Sequence, residues 1–256
     1  MSSTFTNAVR PGKRQTRTLG MLQVVDLVKH YTVGDQPVRA VDGVTLRIDP
    51  GEMVALYGPS GSGKSTLIDM IAGFRRPDSG MVIVDGRDVH TLSNREHAIY
   101  LRATVGIVGE PKQLLEHMSA RENASMKLWR THRRNATRVV APLLVELGLG
   151  ERMDQPVRKL SMGERQRTMI ALALSTEPKL VLADEPTGSL DTVLSREVLE
   201  LIHSLCHDRG TAVLLATHDP LAVKVADRAF ELRDGHLRDY QPETLATAER
   251  DESIAG

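Results

Sequence analysis

Apolar and polar positions change their period several times along this chain, and each change predicts an element. Residues 22–31, 43–48 and 53–57 carry strand-forming residues, with Asp49-Pro50-Gly51 as the turn before the third run. A helix is expected from Lys64 to about Ala72. Met81–Val84 is a short apolar strand closed by Asp85-Gly86, and Thr104–Val108 is another. Residues 119–175 read as helical, because Val139, Val140, Leu143, Leu144 and Leu147 recur at helical spacing. Pro142 predicts a kink or a break in that stretch. Lys179–Ala183 and Thr211–Ala216 are unbroken apolar runs of the buried parallel-strand type, separated by a helix over about 193–208. This order predicts an α/β fold: a parallel core sheet with helices on both faces, an antiparallel β lobe at the start, and an inserted helical lobe over about 112–165.

The ends differ from the middle. Residues 1–20 carry four basic side chains and no acidic one, and read as a disordered basic tail. Residues 242–256 are polar and read as a flexible tail, which leaves 21–241 as the folded domain. The 33 basic and 33 acidic side chains cancel, so nothing favours a nucleic-acid partner. A single cysteine, Cys206, excludes an internal disulfide and fits a reducing compartment. No apolar run approaches the roughly 18 residues that span a bilayer, so a membrane role is expected to come through a partner.

Candidate chemistry begins at Gly58-Pro59-Ser60-Gly61-Ser62-Gly63-Lys64-Ser65, which fits G-x-x-x-x-G-K-[ST] in full. An apolar strand precedes it and a helix follows. Its glycines let the backbone curl so that N–H groups point inward at phosphate oxygens. Lys64 is placed to reach the outer phosphates, and the Ser65 hydroxyl to ligate Mg²⁺. The motif by itself indicates only a nucleotide binder, since GTPases, kinases and helicases share it. A second site candidate is Asp184-Glu185, at the end of an apolar strand where open α/β sheets bind ligands. Asp184 is placed to hold Mg²⁺, and Glu185 to orient and deprotonate an attacking water. Ser161-x-x-Glu164 is a capping box, so a helix with an anion-attracting end is expected to start at Ser161.

Together these residues resemble the ABC transporter ATPases, over about residues 21–240. Leu160-Ser161-Met162-Gly163-Glu164-Arg165-Gln166-Arg167 resembles that family's signature, and lies about twenty residues before the acidic pair. Ser189-Leu190-Asp191 resembles its D-loop, and Ala216-Thr217-His218-Asp219 its switch-histidine segment. Tyr31 resembles the aromatic residue that stacks on adenine; as a strand-end aromatic it serves equally to pack on the core. The resemblance implies a P-loop NTPase core and a dimer that sandwiches ATP. Gly58–Thr66 of one chain would meet Ser161, Gly163, Glu164 and Asp191 of the other, although on spacing alone Asp191 equally caps the next helix. It implies Mg²⁺, with Ser65, Asp184 and Glu110 as ligands, and Lys64, Glu185 and His218 as catalytic residues. It further implies a transmembrane permease as partner, on the cytoplasmic face of a membrane. Glu185-Pro-Thr-Gly-Ser-Leu-Asp191 resembles the branch serving lipoprotein release, macrolide and peptide export, and cell-division complexes. The alternative is an ATP-gated regulatory or scaffold subunit.

Two positions depart from the family. Glu110 stands where it has Gln, which adds a negative charge beside the terminal phosphate and removes a donor. Gln113, three residues on, is the amide that a shift of the loop would bring in. Met162 stands where it has Gly, and its side chain is expected to crowd the partner's phosphate. Both changes predict that hydrolysis is slowed or depends on a partner.

Overall fold

The structure, a computed structural model, describes residues 20–34, 36–109, 111–130, 135–188 and 190–240. The strands are β1 (Leu22–Val33), β2 (Gln36–Ile48), β3 (Met53–Tyr57), β4 (Ser79–Val84), β5 (Arg87–Asp88), β6 (Val105–Val108), β7 (Leu180–Asp184), β8 (Ala212–Thr217), β9 (Arg228–Arg233) and β10 (His236–Asp239). The helices are α1 (Lys64–Ala72), α2 (Asn94–Ile99), α3 (Ala120–Ser125), α4 (Ala136–Val139), α5 (Ala141–Glu146), α6 (Met162–Leu174), α7 (Thr192–Asp208) and α8 (Pro220–Val225).

Two sheets divide the described residues. One is antiparallel, in the order β2-β1-β4-β5, and the other runs β10-β9-β3-β8-β7-β6. Within the second, β9, β3, β8, β7 and β6 are parallel neighbours, and β10 closes the edge antiparallel to β9. β8 is buried at every residue, as a central parallel strand covered on both faces must be. Alternation along β3 sends Val54 and Leu56 to one apolar layer and Met53 and Ala55 to the other. The first layer packs α1 and the antiparallel sheet against the core sheet, and the second packs α6, α7 and the helical lobe.

Several predicted boundaries change. The second strand starts at Gln36, seven residues earlier than its apolar run, because it pairs with β1 as one long hairpin and backbone pairing needs no apolar side chain. Gly20, inside the stretch read as a tail, is buried. Residues 1–19 and 241–256 lie outside the described residues. Thr104 is not a strand residue; it ends a π-helical turn, Tyr100–Thr104, and β6 starts at Val105. The stretch 119–175 is not one helix but α3, α4, α5 and α6 with 3₁₀ turns among them. Pro142 stands in the first turn of α5, where its missing N–H costs no helical bond. The predicted interruption is therefore a break, between α4 and α5, and not a kink.

Candidate active site

The phosphate loop is shaped by two close approaches. A Cβ at Gly63 would lie 1.9 Å from the Ala40 carbonyl oxygen, and one at Gly58 would lie 2.4 Å from that of Leu232. Gly63 also has φ 105°, in the left-handed region that side chains resist. The loop is thus clamped between β2 and β9, and it delivers the chain into α1. Thr66 stands in that first turn. The Ser62 hydroxyl is buried without a hydrogen-bond partner among the described residues.

Lys64 is only 6% exposed, and its Nζ donates to the carbonyls of Gly58 (2.7 Å) and Pro59 (3.0 Å). The same ammonium lies 3.6 Å from Glu185 Oε1. The helix start, the loop and the end of β7 therefore converge on one charge. Asp184 ends β7, with the Ser65 hydroxyl near its carboxylate. Burial raises its carboxyl above the usual range, and the nearby Ser65 hydroxyl and Lys64 oppose that rise. Its Oδ1 is buried with no partner among the described residues.

Glu185 holds φ 48°, an unfavourable backbone for a residue with a Cβ. Its N–H donates to the Ala216 carbonyl at 2.9 Å, which pins the turn to β8. Oε2 accepts from the Thr217 hydroxyl (3.0 Å) and lies 3.0 Å from His218 Nδ1, with the His218 N–H at 3.4 Å. Glu185 and His218, distant in sequence, thus form one unit. The sequence reading missed Thr217. Its one signal was position: a hydroxyl at the end of an otherwise apolar strand, just before the histidine.

The other candidates lie elsewhere. Ser161 caps α6 as expected: its Oγ accepts from the Glu164 N–H at 3.2 Å, and its own N–H donates to Glu164 Oε2 at 2.8 Å. Met162 follows in the first turn and is 45% exposed. Gly163 faces Leu194 of α7. Asp191 Oδ1 accepts from both Val193 and Leu194 N–H groups at 3.0 Å, so the capping role is the one seen. No hydrogen bond or ion pair between described residues joins Ser161, Glu164 or Asp191 to the phosphate loop. The Tyr31 ring lies on the antiparallel sheet, with Lys29 Nζ 5.7 Å and Arg75 Cζ 5.4 Å from its centre. Glu110 and Ser189 lie outside the described residues. His203 and His207 stack on each other on α7, and His203 Nε2 lies 3.3 Å from Asp227 Oδ1.

Comparison with known proteins places the chain in a family. The ABC transporter family profile matches residues 41–188, more than half of the chain. The lipoprotein-releasing system ATP-binding protein LolD 2 of Caulobacter vibrioides is 42% identical over 218 residues, covering 84% of this chain and 95% of that one. The macrolide export ATP-binding/permease protein MacB of Syntrophobacter fumaroxidans is 37% identical over 235 residues, covering 90% of this chain but only 32% of MacB. Among solved structures, the dimeric post-hydrolysis ATP-binding cassette MJ0796, bound to ADP and Pi, superposes with a TM-score of 0.76 at 29% identity, covering 86% of this chain and 99% of that one. Among the described residues no helix is long and apolar enough to cross a membrane. The chain belongs to the ABC transporter family, as an ATP-binding subunit that hydrolyses ATP.

Proposed function

We propose that this subunit works in a dimer that holds ATP between the phosphate loop of one protomer and the Ser161 helix end of the other. Closing and reopening of that dimer drives a separate membrane permease, on whose cytoplasmic side the subunit sits. The exported substrate is a lipid, lipoprotein, peptide or drug-like molecule. The observation that carries the reading is the meeting of Lys64, Asp184, Glu185 and His218 at the ends of β3, β7 and β8. The names of the relatives support the substrate class, and the dimeric cassette supports the assembly. The regulatory or scaffold reading gains nothing from them.

The residues fit Mg²⁺. Asp184 Oδ1 is an acceptor with no donor among the described residues, and the Ser65 hydroxyl lies near the same carboxylate. When bound there, the ion neutralises charge that builds on the phosphoryl oxygens. Every other task falls to the chain. The loop N–H groups and Lys64 bind and orient the phosphates. Thr217 and His218 hold Glu185 Oε2, which leaves Oε1 to take the proton of the attacking water. Because an ionised Glu185 only accepts, His218 donates through Nδ1 and keeps Nε2 for the phosphate side. Tyr31 offers its ring to adenine, and Asp191 and Gly163 line the partner's side of the nucleotide.

Glu185→Gln should bind ATP without turning it over and accumulate the closed dimer. Light scattering is expected to show ATP-dependent dimers of this variant. A variant that stays monomeric with saturating ATP would overturn the sandwich.

A further inference from the structure

The two carbonyls that clamp the phosphate loop, those of Ala40 and Leu232, belong to different sheets. Between β1 and β2 the register slips by one residue. Lys29 pairs with Val41 and His30 with Arg39, which leaves Ala40 as the extra residue. Such a β-bulge re-aims the backbone around it. Here it is the Ala40 carbonyl that lies against Gly63. Leu232 stands near the end of β9, and the turn that follows β9 comes back to the same bulge. A Cβ at Gly235 would lie 2.5 Å from the Arg39 carbonyl oxygen, and the Gly235 carbonyl accepts from the Asp42 N–H at 2.8 Å. Residues 39–42 thus touch both the phosphate loop and the β9–β10 turn.

One carboxylate fastens this junction. Asp42 Oδ1 lies 3.1 Å from His30 Nε2 on β1. Its Oδ2 accepts from Arg39 Nη1 at 3.4 Å and lies 3.9 Å from His236 Nε2 on β10. Side chains from three strands therefore converge on one acid. The His30 bond is the chief cause that holds the Asp42 carboxyl below its usual range. An ionised carboxylate only accepts, so His30 has to donate to it. Asp78, which accepts from the His30 N–H at 2.7 Å, is itself paired with Lys29 at 2.6 Å. Imidazole is the side chain that changes charge between about pH 5 and 8. When charged, each histidine adds attraction to its contact with Asp42; when neutral, at most a hydrogen bond remains.

We infer that Asp42 is a positioning residue for ATP: with His30 and His236 it fixes the Ala40 bulge and the β9–β10 turn against the phosphate loop, and ties the affinity for ATP to pH. The inference rests on the reading of Gly58–Ser65 as the phosphate site. Asp42 acts through the two backbone clamps and touches no nucleotide. With the fastening loosened, the loop spends less time in the shape that binds phosphate, and a loop competent one-tenth of the time binds about tenfold more weakly. Acid tightens the fastening, because it charges the two histidines while Asp42 stays ionised.

The test is equilibrium binding of ATP to the full chain, by calorimetry, at about pH 6 and about pH 8.5, on either side of the imidazole range. Each variant is read as the ratio of its Kd to that of the unaltered chain, which cancels groups that titrate in both. Asp42→Asn is expected to raise Kd about tenfold at the acid pH and about twofold at the alkaline one. In a chain that carries His30→Gln and His236→Gln, the same substitution should cost equally at both. A ratio that ignores pH in the unaltered chain, or one that still follows pH without the two histidines, overturns the inference. So does a lowered thermal midpoint with Kd unchanged, which would make Asp42 a fold residue only. If Asp42→Asn does not fold, the double glutamine chain decides: its own ratio should be near one at the alkaline pH and about fivefold at the acid one. Lys64→Ala is the reference. If it leaves ATP binding intact, the phosphate-site reading falls as well; if it abolishes binding while Asp42→Asn does nothing, only the inference falls.

Discussion

Thr217 is fully buried, and its hydroxyl holds the oxygen of Glu185 that His218 also holds. Thr217→Val keeps the shape and removes that bond. It should lower kcat about tenfold while leaving ATP affinity nearly unchanged, since the bond positions a base and touches no nucleotide. Steady-state kinetics together with binding at equilibrium would separate the two effects. Met162 acts in the opposite sense. Its side chain projects from the first turn of α6, while the capping box beneath it is intact. In the proposed sandwich the partner's phosphate would have to displace it. Met162→Gly is expected to raise turnover by up to about tenfold, or ~1.4 kcal/mol of barrier. Turnover equal to that of the unaltered chain would remove Met162 as a brake.

At the scale of elements, the β3–loop–α1 unit works because neighbouring strands shape it. Gly63 is held against Ala40 of β2 and Gly58 against Leu232 of β9. The contact is backbone, so it cannot yield by rotating a side chain. Gly63→Ala should therefore abolish ATP binding, not merely weaken it, while circular dichroism still reports a folded α/β protein. Retained ATP affinity in that variant would mean that the loop tolerates another path. Much of this unit was legible in the sequence. The motif names its residues, and α1 runs over Lys64–Ala72 as the pattern predicts. The clamps were not legible, because Ala40 and Leu232 are ordinary apolar residues whose carbonyls matter only once the strands are placed.

On the scale of the whole molecule, the helical lobe is tied to the core by a lysine that shows no pattern in sequence. Lys127 leaves the 3₁₀ turn Met126–Leu128, and its Nζ donates to the Val105 carbonyl at 3.1 Å and lies 3.5 Å from that of Leu101. Burial lowers its pKa from the ordinary 10.5 to about 8. Between those values the unfolded chain binds more protons than the folded one, so stability rises with pH there. The cost of burying the charge is present in full below about pH 8 and fades as pH rises toward 10.5. Lys127→Met removes the titration. Denaturant melts from pH 7 to 9.5 should show the unaltered chain gaining on the order of 1–2 kcal/mol relative to the variant. A constant difference between the two would show that Lys127 stays protonated throughout.

The sequence by itself determined the family, the α/β order and the local chemistry. Each of those is written in contiguous residues: the glycine loop, the acid pair ending an apolar strand, the serine-led box and the histidine after a buried run. Local rules of spacing, capping and period suffice to read them. Tertiary structure alone decided which atoms meet. It set Thr217 and His218 on the same oxygen of Glu185, placed an acid beside His203, broke residues 119–175 into separate helices, and turned Gln113 back over Gly109. Those outcomes depend on register between strands remote in sequence, and a register is fixed by packing the whole core at once, not by any one segment's pattern.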